Sequence, residues 1–168
     1  DDMPMLAPYG AFEWLVLTRF GKWNEMLAEP EPKETAPALQ AYYRYARGLA
    51  MAGLGRNSEL SAESERMAAI CARIPEDQKL MINPVRSVLA VGTAELRAKI
   101  ARTKGDADGE IAALREAVAA QDKLGYMEPP EWHYPVREAL GAALLRNGKA
   151  GEAEAVFRRD LEINPRNG

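Results

Sequence analysis

The sequence has little of what most chemical sites require. Its 168 residues include one cysteine, Cys71, and one histidine, His133. A single cysteine excludes an internal disulfide and does not reveal the compartment, although we favour a soluble, cytoplasmic protein over a periplasmic one. A single histidine excludes metal sites built from several imidazoles, and no nucleophile stands at motif spacing from it. We therefore expect no enzyme activity, no metal and no cofactor.

The chain also lacks a basic excess and a long apolar run. Its net charge is −3, and Lys and Arg never form a run longer than Arg158-Arg159. Proteins that bind nucleic acid usually carry a basic stripe, so we expect no nucleic-acid partner. No apolar run reaches the roughly 20 residues that span a bilayer, so we expect no membrane insertion. The sequence starts without Met or a signal region, and we expect it to be a piece of a longer protein.

Apolar residues in helical spacing are abundant. Hydrophobic residues make up 47% of the chain, enough for a sizeable core in one domain. They recur three or four positions apart, and no stretch alternates in the way of a strand. Four glycines interrupt this pattern: Gly21, Gly55, Gly105 and Gly148. Because glycine is favoured where a helix ends in the left-handed conformation, each predicts a turn between two antiparallel helices.

The spacing of these glycines indicates a repeat. They are 34, 50 and 43 residues apart, and 34 is the period of a known helix-turn-helix repeat. We expect the additional residues in two turn-rich segments, Pro75 to Pro84 and Gly125 to Pro135. The sequence thus predicts an all-α domain over residues 1–168. Its antiparallel helix pairs would cover about residues 8–29, 36–74, 84–124 and 134–164.

The last predicted pair, Tyr134 to Asn167, resembles a tetratricopeptide repeat. It carries the family pattern at matching spacings, in Leu140-Gly141, Ala153, Phe157 and Pro165. Arg137 stands where the family usually has Trp, and Leu144 stands where it has Tyr. The resemblance weakens toward the N-terminus. The sequence of residues 125–145 also resembles sequences found in bacterial tandem-repeat proteins.

The resemblance implies a right-handed α-solenoid with a concave groove lined by the first helix of each pair. It also implies a non-catalytic scaffold that binds a peptide or protein segment of unknown identity in that groove. By register, nine residues would face it: Tyr42, Tyr45, Leu49, Glu95, Lys99, Arg102, Glu138, Leu145 and Arg146. Aromatic and Arg side chains are common hot spots in such interfaces.

Other interpretations of the groove residues remain open. They could form an ordinary solvated face, and the chain could be a structural or self-association segment that forms a homo-oligomer. It could also be a regulatory domain of a larger protein with catalysis elsewhere. The Lys and Asn pair with which some family members clamp a terminal carboxylate has no counterpart here, so that binding mode is not expected.

One loop departs most from the family pattern. His133 lies between Trp132 and Tyr134, with Glu128 and Glu131 near it. One imidazole and two loop carboxylates make a poor metal site. We expect instead that the aromatic side chains pack the loop onto a neighbouring repeat and leave His133 partly exposed.

Overall fold

The computed structural model of the chain describes residues 7–33 and 36–165, apart from the side chains of residues 7 and 8. Nine helices and no β-strand form within these residues. The helices are α1 (Ala7–Gly10), α2 (Phe12–Arg19), α3 (Trp23–Ala28), α4 (Pro37–Gly53), α5 (Asn57–Arg73), α6 (Val85–Thr103), α7 (Ala107–Gln121), α8 (Val136–Arg146) and α9 (Ala150–Ile163). The prediction of an all-helical chain is confirmed. None of the described helices is both long enough and apolar enough to cross a bilayer.

The four turn glycines share one conformation. Their φ angles lie between 68° and 73°, in the left-handed region that glycine tolerates best. After each glycine, the next residue donates its backbone N–H to the carbonyl five residues earlier, as Arg56 does to Met51 at 2.9 Å. This bond is the signature of a Schellman helix end. The prediction that these glycines are turns between helices is confirmed.

The helices pack as neighbours along the chain. Helices α4 and α5 form one antiparallel hairpin, α6 and α7 a second, and α8 and α9 a third. The hairpins contact one another through α5 and α6, α4 and α6, and α7 and α8, and the short helices α1 to α3 pack on α4. Pro37 lies in the first turn of α4, where its missing N–H costs nothing. The side chain of Asp106 caps α7 by accepting a bond from Gly109 N at 2.8 Å.

Two glycines allow helices to approach closely. A Cβ placed on Gly48 in α4 would lie 2.7 Å from the Leu96 side chain of α6. A Cβ on Gly141 in α8 would lie 2.3 Å from the Phe157 ring of α9. Real Cβ atoms do not come this near to other carbons, so a larger residue would push the helices apart. These contacts explain why small residues interrupt the apolar faces of the first helices.

Candidate functional site

The first helices α4, α6 and α8 carry the nine predicted groove residues, but the structure buries part of that face. Tyr42, Tyr45 and Glu95 are no more than 2% exposed. The prediction that these three side chains are open to a peptide is therefore wrong. The physical reason is that the loop between α7 and α8, residues 122–135 and here called the α7–α8 loop, lies over them.

Trp132 is the residue that closes this surface. Its indole is buried, stacks on Tyr42 with ring centroids 6.1 Å apart, and meets Tyr45 edge-on at 5.1 Å. Gly92 of α6 makes room for it, since a Cβ there would lie 2.6 Å from the indole ring. The Tyr42 hydroxyl donates to the Glu131 carbonyl at 3.2 Å. Large aromatic rings bury much apolar surface, so this contact fixes the loop on α4 and α6.

Glu95 of α6 holds the same loop by hydrogen bonds. Its carboxylate accepts a hydrogen bond from the Tyr45 hydroxyl at 2.9 Å and another from the hydroxyl of Tyr134 in the loop. Burial raises the pKa of Glu95 to about 7, while the bonds from Tyr134 and Tyr45 act in the opposite direction. The carboxylate is thus an internal polar link, and its two oxygens are already occupied.

A second set of bonds ties the loop to the turn between α5 and α6. The Glu131 carboxylate accepts the backbone N–H groups of Met81 at 2.7 Å and Ile82 at 3.0 Å. Asn83 exchanges two hydrogen bonds with the backbone of Gly125, at 2.8 and 3.2 Å. The two turn-rich segments therefore hold each other, and the loop is a fixed part of the fold.

His133 packs among aromatic rings in the way the sequence predicts. It lies 4.7 Å from the Tyr134 ring and 5.0 Å from the Trp132 ring between centroids, and it remains exposed. The Glu131 carboxylate is engaged by backbone amides, so it does not join the imidazole in a metal site. Among the residues that the structure describes, no group of three or more His, Cys, Asp or Glu could hold a metal ion.

The end of the predicted groove beyond the loop is open. Leu145 is 53% exposed, Arg102 and Arg146 are exposed, and Lys99 is half-buried. Arg146 donates to Glu110 at 2.6 Å. Within residues 7–33 and 36–165, the side chains of Lys99 and Arg102 form no hydrogen bond or ion pair. We call Lys99, Arg102 and Arg146 the cationic cluster.

Charges of both signs act on the Lys99 ammonium. Burial lowers the pKa of Lys99, and the positive charges of Arg102 and Arg146 lower it further. The carboxylates of Glu95 and Glu110 oppose this shift. Because these carboxylates do not cancel the lowering of the Lys99 pKa, a further anion beside the ammonium would be favourable.

The remaining two predicted groove residues, Leu49 and Glu138, lie at the edges of the predicted groove. Leu49 is half-buried and packs against the core. Glu138 is half-buried, and its carboxylate is 3.6 Å from the guanidinium of Arg19 in α2. Arg19 thus reaches from the N-terminal helices to α8, on the side where the α7–α8 loop lies.

Two further features are weaker candidates for a chemical site. Burial raises the pKa of the Cys71 thiol to about 11, which is the opposite of what a nucleophile needs. A cleft of about 940 Å³ lies beside the loop and the end of α9, and Arg137 and Arg159 are the arginines that line it. Both are paired, with Asp122 at 2.6 Å and Glu162 at 2.7 Å respectively. In the cationic cluster only Arg146 is paired among the described residues, at 2.6 Å from Glu110, so the cluster is the better candidate for binding.

No protein-family model, curated protein or solved structure matches this chain.

Proposed function

We propose that this chain is a non-catalytic scaffold of the tetratricopeptide type that binds an acidic protein segment at the open end of its inner face. The contacts would come from the cationic cluster and from Leu145. The identical glycine turns and the ordered packing of the hairpins support the solenoid architecture. The cationic cluster supports the choice of an acidic segment.

The observation that carries the proposal is the state of Lys99. A half-buried ammonium has lost part of its hydration; the carboxylates of Glu95 and Glu110 act against the resulting fall in its pKa, but they do not cancel it, and neither forms an ion pair with Lys99 in the described part of the chain. Desolvation of a charge is costly unless an opposite charge compensates for it. A carboxylate from a bound segment would supply that compensation and would form charge-assisted hydrogen bonds with Arg102 and Arg146.

Leu145 adds an apolar contact beside these charges. It is a large exposed side chain one position before Arg146, and α8 holds both in place. Binding surfaces commonly combine an apolar centre with charged groups around it. The chain as a whole is negative, with a net charge of −3, so the cluster would give local selection for acidic segments.

The test is a binding titration followed by fluorescence polarisation. The probe is a short labelled peptide rich in Glu and containing Leu, and its control has every Glu replaced by Gln. We expect the acidic peptide to bind at low salt and to weaken as salt is raised. Arg102→Glu should weaken binding by about tenfold or more, which corresponds to about 1.4 kcal/mol.

A matched variant separates the site from overall charge. Arg158→Glu makes the same charge change on α9, where Arg158 is exposed and pairs with Glu154. It should leave the affinity unchanged. Equal binding of the acidic and Gln peptides, or an equal loss in both variants, would show that the cluster is not the binding site.

A further inference from the structure

Glu95 lies at the border between the covered and the open parts of the inner face. The α7–α8 loop covers it, and the residue is 2% exposed. Lys99, the first member of the cationic cluster, follows it by four positions on α6, and side chains four positions apart on a helix are neighbours. The carboxylate that holds the loop therefore lies beside the cluster that we propose as the binding site.

The hydrogen-bond partners of Glu95 are neutral groups. Tyr45 of α4 donates to one carboxylate oxygen at 2.9 Å, Tyr134 of the loop donates to the other, and the Trp132 indole also faces the carboxylate. Burial raises the pKa of both tyrosines well above 10, so neither ionises below pH 9. In the described part of the chain, no Lys or Arg forms an ion pair with Glu95. Its charge is thus not neutralised by its direct partners.

Proton binding at Glu95 changes the charge beside Lys99 near neutral pH. Burial raises the pKa of Glu95 to about 7, against the lowering effects of Tyr134, Tyr45, Lys99 and Trp132. The carboxyl group is therefore mostly protonated and neutral at pH 5.5, and mostly ionised at pH 8. Between these two values, the border of the open site gains one negative charge.

The Lys99 ammonium responds to that charge. Burial lowers the pKa of Lys99, and Arg102 and Arg146 lower it further, whereas Glu95 and Glu110 act against this lowering. When Glu95 is protonated, its share of the compensation is lost, and the ammonium gains more from the carboxylate of a bound segment. When Glu95 is ionised, its negative charge repels that same carboxylate.

We propose that Glu95 regulates the cationic cluster by binding a proton: the protonated residue favours the bound acidic segment, and the ionised residue disfavours it. This inference rests on the proposed binding of an acidic segment, and it adds the condition under which that binding is strongest. Linkage is reciprocal, so a bound acidic segment raises the pKa of Glu95 through the same coupling.

Fluorescence polarisation at pH 5.5 and pH 8 tests the regulation, with the Glu-rich, Leu-containing peptide as probe at constant ionic strength. The Glu side chains of the peptide are ionised at both pH values. The wild type should bind at least about fivefold more tightly at pH 5.5, which is the lower end of the usual coupling between two sites. Glu95→Gln cannot titrate and keeps every other ionisable group, so its affinity should be the same at both pH values.

Two matched variants identify the group that titrates. Glu116→Gln removes an exposed carboxylate of α7 that pairs with Arg97, and it should retain the pH dependence of the wild type. Lys99→Arg keeps a positive charge at every pH of the experiment, so a pH dependence that comes from Glu95 should persist in it. Circular dichroism at both pH values verifies that each variant is folded.

Carboxyl ¹³C NMR on the wild type tests the reciprocal effect without relying on the binding of any variant. The Glu95 signal is assigned by its absence from Glu95→Gln. Saturating acidic peptide should move the midpoint of its titration to higher pH, and the control peptide with Gln in place of Glu should not.

The outcomes separate the regulation from the proposed function. Binding of equal strength at pH 5.5 and pH 8 would overturn the regulation and leave the proposed function standing. A pH dependence that persists in Glu95→Gln, or that disappears in Lys99→Arg, would also overturn the regulation. Absence of binding at both pH values would overturn the proposed function and the regulation with it.

Discussion

The hydroxyl of Tyr134, in the loop before α8, donates a hydrogen bond to the buried carboxylate of Glu95 in α6. With Trp132 packed between Tyr42 and α6, this bond fixes the α7–α8 loop over the predicted groove residues of α4 and α6. Tyr42, Tyr45 and Glu95, which the sequence register places in a peptide groove, therefore contact the protein's own α7–α8 loop instead. The contribution of these loop contacts to the free energy of unfolding can be measured.

The pH dependence of stability should report on Glu95. Its pKa is about 7 in the fold and 4.5 as the ordinary value, so the folded state favours the protonated form. The stabilisation is complete below pH 4.5 and is lost as the pH rises to 7. We expect the free energy of unfolding to fall by about 3 kcal/mol over this range through Glu95 alone. Urea denaturation at pH 5 and pH 8 measures it.

The control for this prediction is Glu95→Gln, which cannot titrate. The difference between wild type and variant cancels the contribution of all other carboxyls. A difference that stays constant from pH 5 to pH 8 would show that Glu95 titrates near its ordinary pKa.

Trp132→Ala should be strongly destabilising. It removes a fully buried indole and leaves a cavity over Tyr42 and Tyr45, and such truncations cost about 3–5 kcal/mol. Tyr126→Ala, in the same loop but exposed, should change stability by less than about 0.5 kcal/mol. Chemical denaturation of both variants measures the contrast, and equal stabilities would mean that Trp132 does not hold the loop.

Gly92→Ala should destabilise the protein by about 1–3 kcal/mol, because the new methyl would lie 2.6 Å from the Trp132 ring. Gly151→Ala makes the same change in α9, where the new methyl would meet nothing within 4 Å beyond the chain neighbours and the nearby backbone of its own helix. There the substitution should stabilise the helix by up to about 1 kcal/mol. Thermal unfolding of the two variants should therefore shift in opposite directions. A neutral Gly92→Ala would contradict the close contact.

Glu131→Gln should weaken the link between the α7–α8 loop and the turn after α5. The Glu131 Oε1 accepts the backbone N–H groups of Met81 and Ile82 and its Oε2 accepts from the Asn83 side-chain amide, so in either orientation the Gln amide nitrogen would face a donor. The loss of a buried acceptor costs about 1–3 kcal/mol. Hydrogen exchange at Met81 and Ile82 should accelerate, whereas Glu128→Gln, at an exposed position of the same loop, should leave it unchanged.

The helical hairpins were predictable because their signals are local. A glycine between an apolar-periodic segment and a polar turn favours a helix end through its own backbone freedom, and Gly55 and Gly105 adopt the expected conformation. The register of a helix also shows which side chains share a face. For this reason the sequence alone places Lys99 and Arg102 on one face of α6, whereas only the resemblance to a tetratricopeptide repeat implies that Arg146 of α8 faces the same groove.

The burial of Tyr45 and Glu95 was not predictable in the same way. It depends on Trp132, which lies far along the chain and fits only because residue 92 is glycine. The available signal was the spacing from Gly105 to Gly148, which exceeds the 34-residue period, together with three aromatic residues in the additional segment. Sequence alone places those residues in a loop, but which helices the loop packs against depends on tertiary contacts.

The surface formed by Tyr42 and Tyr45 is already occupied by Trp132 of the same chain. Any free ligand for the surface of Tyr42 and Tyr45 would have to displace Trp132, which the chain tethers beside them. Tethering over a short loop corresponds to an effective concentration of about a millimolar or more. Weak ligands are therefore excluded from that surface, and the binding that we propose is left to the ends of α6 and α8 that the loop does not cover.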